Sequence, residues 1–230
     1  MHIETTAASS RYDEQYFNYQ SPIGRFGGWA NLTKFSAFVR PDMKVLDFGC
    51  GGGYLLANLN CKEKLGIEVN PVGREAAKNN GIDTVASASQ VEDGWADILI
   101  SNNALEHCPH PLNELRALLP KVVLGGKVVF IVPCEAIRNR YRPDDPNHHL
   151  YCWSPMSAAN LFMEAGFKVV ESKAYVHVWP PRFVPRLLRS IGGRFLFEIG
   201  CKVYGYLTYW NLCPAVTSQV RIVADREIGS

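Results

Sequence analysis

Val45-Leu46-Asp47-Phe48-Gly49-Cys50-Gly51-Gly52-Gly53 is the stretch on which the fold of this chain turns. Val45 to Phe48 is a short apolar run that reads as a buried strand. The glycines behind it read as a tight turn, and Leu55-Leu56-Ala57-Asn58-Leu59 opens a helix. Glycine adopts positive φ freely and, lacking a Cβ, lets a ligand lie against the backbone. A strand, a glycine turn and a helix N-terminus make a site for an anionic or strongly polar ligand, the first unit of a nucleotide-type fold.

The glycines fall as Gly49-x-Gly51-x-Gly53 and not as the dinucleotide G-x-G-x-x-G, with Asp47 two residues ahead. The next strand, Lys64-Leu65-Gly66-Ile67-Glu68-Val69, ends in an acidic residue about 20 positions on, where a ribose diol is bound. Alone, the glycines are a sharp turn without a ligand and Glu68 is a charged strand end. Together they point to ribose binding.

These residues resemble the class I S-adenosylmethionine (SAM)-dependent methyltransferases, of the type that modifies small molecules and sugars. Asp47-x-Gly49-Cys50-Gly51-x-Gly53 matches the first motif of that superfamily and Gly66-Ile67-Glu68-Val69-Asn70-Pro71 the second. Ala96 to His107 matches the fourth strand and its Leu-Glu-His loop, and Leu124 to Pro133 the glycine turn and fifth strand. The resemblance implies an α/β fold: a Rossmann-like, seven-stranded, mostly parallel sheet of order 3-2-1-4-5-7-6 sandwiched by helices. It implies SAM as cofactor and S-adenosyl-L-homocysteine as product. The cofactor-binding residues it implies are Asp47, Gly49, Cys50, Gly51, Gly53, Glu68, Val69, Ala88, Ser89, Asn102 and Asn103. Many members hold adenine with an acidic residue after the third strand. Here the segment is Val85-Ala86-Ser87-Ala88-Ser89-Gln90, leaving Ser89 or Gln90 as substitutes.

The 230 residues suit one domain with a full core. A net charge of +2 argues against nucleic-acid binding. Seven cysteines, odd in number and without C-x-x-C or zinc spacing, read as reduced thiols of a cytoplasmic protein. No apolar run has the length of a membrane span.

Strands are expected at 44–48, 64–69, 82–87, 96–101, 127–132, 167–178 and 216–224, with helices at 53–59, 71–79, 111–119 and 154–165, the last capped by Ser154. The core then comprises 41–178 and 215–228. Residues 11–40 form an N-terminal cap with Tyr12, Tyr16 and Tyr19, a break at Pro22-Gly24 and Gly27-Gly28, and a helix from Trp29 to Val39. Residues 179–214 form a helical, aromatic and basic insertion, with five basic residues and one acid between 182 and 202. Such a segment suits homodimerisation or covering of the core, a lid over a phosphorylated or sugar-nucleotide substrate, or peripheral contact with the inner face of the membrane.

A hydroxyl acceptor needs a base, because its proton leaves as the new bond forms. The candidates lie in Pro143-Asp144-Asp145-Pro146-Asn147-His148-His149-Leu150-Tyr151-Cys152-Trp153, a loop at the C-terminal edge of the sheet. His148 and His149 share the role, imidazole titrating near neutrality. The pair resembles one in sugar O-methyltransferases. His107 is the weaker candidate, more structural or cofactor-proximal, with Glu106 ordering its loop. No metal is expected, because adjacent histidines in an extended segment point opposite ways. The leading expectation is O-methylation of a sugar, nucleotide sugar or surface glycan. N- or C-methylation of another metabolite or lipid, and a SAM-binding protein without turnover, stay open.

Overall fold

The computed structural model describes residues 24, 26–135, 140, 141, 143, 145, 147–175, 187, 193–209 and 218–227. Tyr12, Tyr16, Tyr19, Asp144 and the basic residues at 182, 186 and 189 lie outside them.

Seven strands form one sheet: β1 (Lys44–Phe48), β2 (Glu63–Ile67), β3 (Asp83–Val85), β4 (Ala96–Asn102), β5 (Val122–Cys134), β6 (Lys168–Tyr175) and β7 (Ser218–Asp225). Their order is β3-β2-β1-β4-β5-β7-β6, as the motifs implied. The β1, β2, β3, β4 and β5 pairings are parallel, whereas β7 runs antiparallel to both β5 and β6. Order reverses between β1 and β4, which opens a crevice beyond their C-terminal ends.

Both faces are covered, so the central strands read as continuous apolar runs whose alternate residues serve opposite cores. Leu46, Leu99, Val128 and Phe130 face one side with Leu115 and Leu118 of α4 (Pro111–Leu118) and Phe162 of α5 (Pro155–Glu164). Val45, Ile98, Ile100 and Val129 face the other, with Phe35 of α1 (Leu32–Phe35), Leu56 of α2 (Tyr54–Asn58) and Ala77 of α3 (Pro71–Asn79). Ser154 caps α5 in a reciprocal capping box with Ser157.

Three expectations are corrected. The Gly27-Gly28 pair is no break: residues 26–30 are helical, and a Cβ on Gly28 would stand 2.3 Å from the Tyr54 carbonyl oxygen. That glycine serves close approach of the N-terminal segment to α2. The following helix ends at Phe35, short of Val39. The glycine turn before the fifth strand is an irregularity inside a longer strand, since β5 pairs Val122 with Ala96 and resumes at Lys127 opposite Ile98.

The N-terminal segment and the insertion also meet. Phe197 of α6 (Gly193–Tyr209) is buried against Phe26 and Trp29, with ring centroids 5.5 and 5.0 Å away. Phe195, Ile199, Val203 and Leu207, every fourth residue of α6, are exposed. Among the described residues no helix is long and apolar enough to cross a membrane, and the six cysteines described are free thiols.

Candidate active site at the C-terminal edge of the sheet

The first motif builds a cradle. Gly49, Gly51 and Gly53 have φ of +73°, +53° and +69°, the left-handed region open to glycine. The N–H groups of Gly49 and Cys50 both donate to the Ile67 carbonyl, at 2.8 and 3.1 Å, and fold the loop over the end of β2. A Cβ on Gly49 would stand 2.2 Å from the Ala104 Cβ, whereas one on Gly51 would meet nothing within 4 Å. Gly51 therefore faces open space while Gly49 is wedged. We expect Gly49→Ala to destabilise the fold by about 2–4 kcal/mol, from the left-handed backbone and the clash together. A denaturation midpoint measures this.

Glu68 falls one residue beyond β2, not within it. Its Oε2 accepts from the Gly51 N–H and its Oε1 from the Asn70 N–H, each at 2.8 Å. The second motif thus holds the first in shape. Burial raises the Glu68 pKa, and the hydrogen bonds from Asn70 and Gly51 oppose that rise. Val69 beside it is exposed. Asp47 is buried, and desolvation followed by the charge of Glu68 raises its carboxyl well above the ordinary range. Cys50 packs inward, its Sγ 2.3 Å from where a Cβ on Gly66 would stand. Ala88 is buried at the start of a short 3-10 turn. Ser89 shares a 2.7 Å hydrogen bond with Ser87, and Gln90 folds back to accept from the Ala86 N–H at 2.8 Å. Both substitutes for the missing acid are exposed and make hydrogen bonds within their own loop.

The other end of the crevice lies beyond β4. Asn103 has φ of +55°, and its N–H donates to the Ile131 carbonyl at 2.9 Å. Asn102 Oδ1 accepts from Lys34 Nζ at 2.9 Å. Lys34 was invisible in the sequence, a lysine between Leu32 and Phe35 on a short helix, yet it is 2% exposed. Burial lowers its pKa from an ordinary 10.5 to about 7, and Glu106 raises it part-way back. A base whose folded pKa is lowered binds fewer protons folded than unfolded, so its stability contribution improves as pH rises from about 7 to about 10.5. Lys34→Met should flatten that rise, read from urea unfolding at pH values spanning the window.

The Leu-Glu-His loop and the histidine pair converge there. The Leu150 N–H donates to the Glu106 carbonyl at 2.9 Å, Tyr151 Oη to the Pro109 carbonyl at 3.0 Å, and the Trp153 N–H to the Pro133 carbonyl at 3.0 Å. These bonds seat residues 150–153 against the loop after β4 and the end of β5. His149 stacks edge-on to His107 with centroids 5.2 Å apart. Its Nδ1 lies 2.8 Å from Glu135 Oε1 and its Nε2 3.9 Å from Glu106 Oε1. His148 is not brought in: it is exposed, has φ of +46°, and its N–H donates to Asp145 Oδ2 at 3.0 Å.

Glu106 is 0% exposed and neither carboxyl oxygen has a hydrogen-bond partner. Burial raises its pKa to about 8, and the charge of Lys34 opposes that rise. The Glu106 carbonyl is the acceptor that Leu150 uses, and its carboxylate takes no part in that bond. Burial, followed by the neighbouring His149, lowers the His107 pKa to about 4, against a hydrogen bond to the His148 backbone. Glu135, 14 residues before His149, went unread because the two approach only through the fold.

A profile described as a methyltransferase domain matches residues 16–172. The chain belongs to this methyltransferase family. It is 33% identical over 124 residues to the ribosomal protein L11 methyltransferase of Thermosipho africanus, covering 46% of this chain and 48% of that one. It is 36% identical over 100 residues to the ubiquinone biosynthesis O-methyltransferase of Vibrio parahaemolyticus, covering 38% and 42%. The chain thus spans less than half the length of these curated relatives. A Thermotoga maritima SAM-dependent methyltransferase shares the fold, with a TM-score of 0.66 at 14% identity over 96% of this chain and 100% of that one. The residues of this chain suit SAM: open space at Gly51, the carboxylate of Glu68 bonded to the Gly51 N–H, and an exposed apolar Val69 beside it.

Proposed function

We propose that the methyltransferase transfers a methyl group to a hydroxyl of a small-molecule acceptor, a sugar, nucleotide sugar or surface glycan. The observation that carries this is His149, held through Nδ1 by Glu135 at 2.8 Å with Nε2 turned toward the buried Glu106.

When bound, the cofactor supplies an activated methyl on sulfur, so the chain's main task is alignment. Glu68 takes the ribose hydroxyls, and the open backbone at Gly51 and the loop that begins at Asn103 receive the rest of the cofactor. A hydroxyl acceptor enters beside Glu106 and His149. His149 Nε2 accepts its proton, while the Nδ1–H donated to Glu135 fixes the tautomer and steadies the imidazolium that forms. A second acceptor class would not require this arrangement, since a neutral amine attacks without first losing a proton.

Incubation with methyl-labelled SAM and a panel of nucleotide sugars, free sugars and primary amines tests the proposal. Methyl ethers are expected. Label on nitrogen, with every hydroxyl acceptor unlabelled, would contradict it. The exposed stripe of α6 lies in the segment for which homodimerisation, a substrate lid or peripheral membrane contact is proposed, and the first and last of these are directly testable. Light scattering with and without anionic vesicles separates these, and a monomer that ignores vesicles removes both.

A further inference from the structure

Glu106, His107 and His149 each present a ligand atom, and these three atoms lie within 4.8 Å of one another. Donors about 2.0 Å from a small divalent cation sit about 3.3 Å apart in a tetrahedron. Side-chain rotation of about an ångström or two closes that gap, with no change in the backbone. We propose that these three residues form a binding site for a divalent transition cation, beside the crevice that holds the cofactor.

Two independent features support the site. The first is Glu106, whose carboxyl oxygens are fully buried without a hydrogen bond. An orphaned carboxyl at that depth is costly, and a cation supplies the charge and the bonds it lacks. The second is the outer shell. Histidines that ligate metals almost always give their other ring nitrogen to a carboxylate or a carbonyl, which fixes tautomer and orientation. His149 gives its Nδ1 to Glu135 at 2.8 Å, and His107 hydrogen-bonds the His148 backbone. His149 is thereby held with Nε2 toward Glu106, and a ring nitrogen of His107 lies within 4.8 Å of both partners.

The expectation of no metal rested on His148 and His149 pointing apart. The ring that meets His149 is instead His107, from the other loop. Two imidazoles and one carboxylate suit zinc, iron, cobalt or manganese better than magnesium or calcium, which prefer all-oxygen sites. Three protein ligands leave a position for an acceptor oxygen, whose proton a Lewis acid makes easier to lose. That role rests on the hydroxyl-acceptor reading and would replace His149 Nε2 as the base, because a nitrogen bound to a cation has no lone pair for the proton; the binding itself does not rest on it.

The test uses the full chain equilibrated with Co²⁺ and, separately, Zn²⁺, then desalted. Bound metal is measured by mass spectrometry, Co²⁺ coordination by its visible absorption, and S-adenosylhomocysteine affinity by calorimetry. About one equivalent of either cation is expected. Glu106→Gln, His107→Ala and His149→Ala should each abolish the Co²⁺ bands, and Glu135→Gln should weaken binding about 10- to 100-fold. All four should bind S-adenosylhomocysteine as wild type does, which shows them folded. Substoichiometric metal in the wild type would overturn the proposal. So would a Glu106→Gln, His107→Ala, His149→Ala triple variant that retains the full equivalent, since cysteines would then be holding it. Because no readout depends on turnover, failure here leaves the hydroxyl reading to its own experiment.

Discussion

Glu68→Ala should weaken SAM and S-adenosylhomocysteine binding by at least about 100-fold. Two hydrogen bonds to a charged carboxylate contribute about 1.5–3 kcal/mol each, and 1.4 kcal/mol is a factor of ten. The loss has a second source, because the same carboxylate holds the Gly51 and Asn70 N–H groups at 2.8 Å and so shapes the loop on which the cofactor lies. Glu68→Gln separates the two. It keeps one acceptor for the loop and a neutral group toward the ribose, so its melting temperature should stay near wild type while affinity falls to an intermediate value. Calorimetry of the three proteins measures this. Equal affinity in wild type and Glu68→Ala would mean that the ribose is held elsewhere.

His149→Ala should lower kcat about a hundred- to ten-thousand-fold, the range for a lost general base, with cofactor affinity unchanged. His148→Ala should leave kcat close to wild type, because that ring is exposed and its segment is held through the backbone by Asp145. Glu135→Gln should cost less than His149→Ala and shift the acid limb of the pH–rate profile, since it alters the group that steadies the imidazolium. His107 distinguishes a proton relay from a metal-assisted one. If His149 acts alone on the proton, His107→Ala costs little; if a cation is shared, both variants fall together. Single-turnover rates with a labelled acceptor provide the comparison. Full activity in both His148→Ala and His149→Ala would remove the base from this loop.

What could be read from the sequence was local. Gly49, Gly51, Gly53 and Glu68 declare themselves because a strand, a positive-φ turn and an acid at the next strand end are each written in a few consecutive residues. The alternation of apolar strands and amphipathic helices is periodic, so the sheet was legible and, with the family motifs, its order. The acceptor side was not. Lys34 gives no signal, because a lysine in a four-residue helix looks solvated until Asn102 and Glu106 close over it. Glu135 and His149 meet only after the chain leaves β5 and returns. Glu106 sits within a recognised motif, yet nothing in Leu-Glu-His says that its carboxyl is fully buried. Gly28 misled in the opposite direction. A glycine pair reads as a break from its backbone freedom, whereas here the missing Cβ admits the Tyr54 carbonyl.

The most direct test is a crystal structure of the chain with S-adenosylhomocysteine. It should show the ribose hydroxyls within hydrogen-bond distance of Glu68, the adenine over Val69, and the sulfur at the end of β4 opening toward Glu106 and His149. A product bound with its sulfur turned away from that pocket, or with no contact between Glu68 and the ribose, would contradict the account.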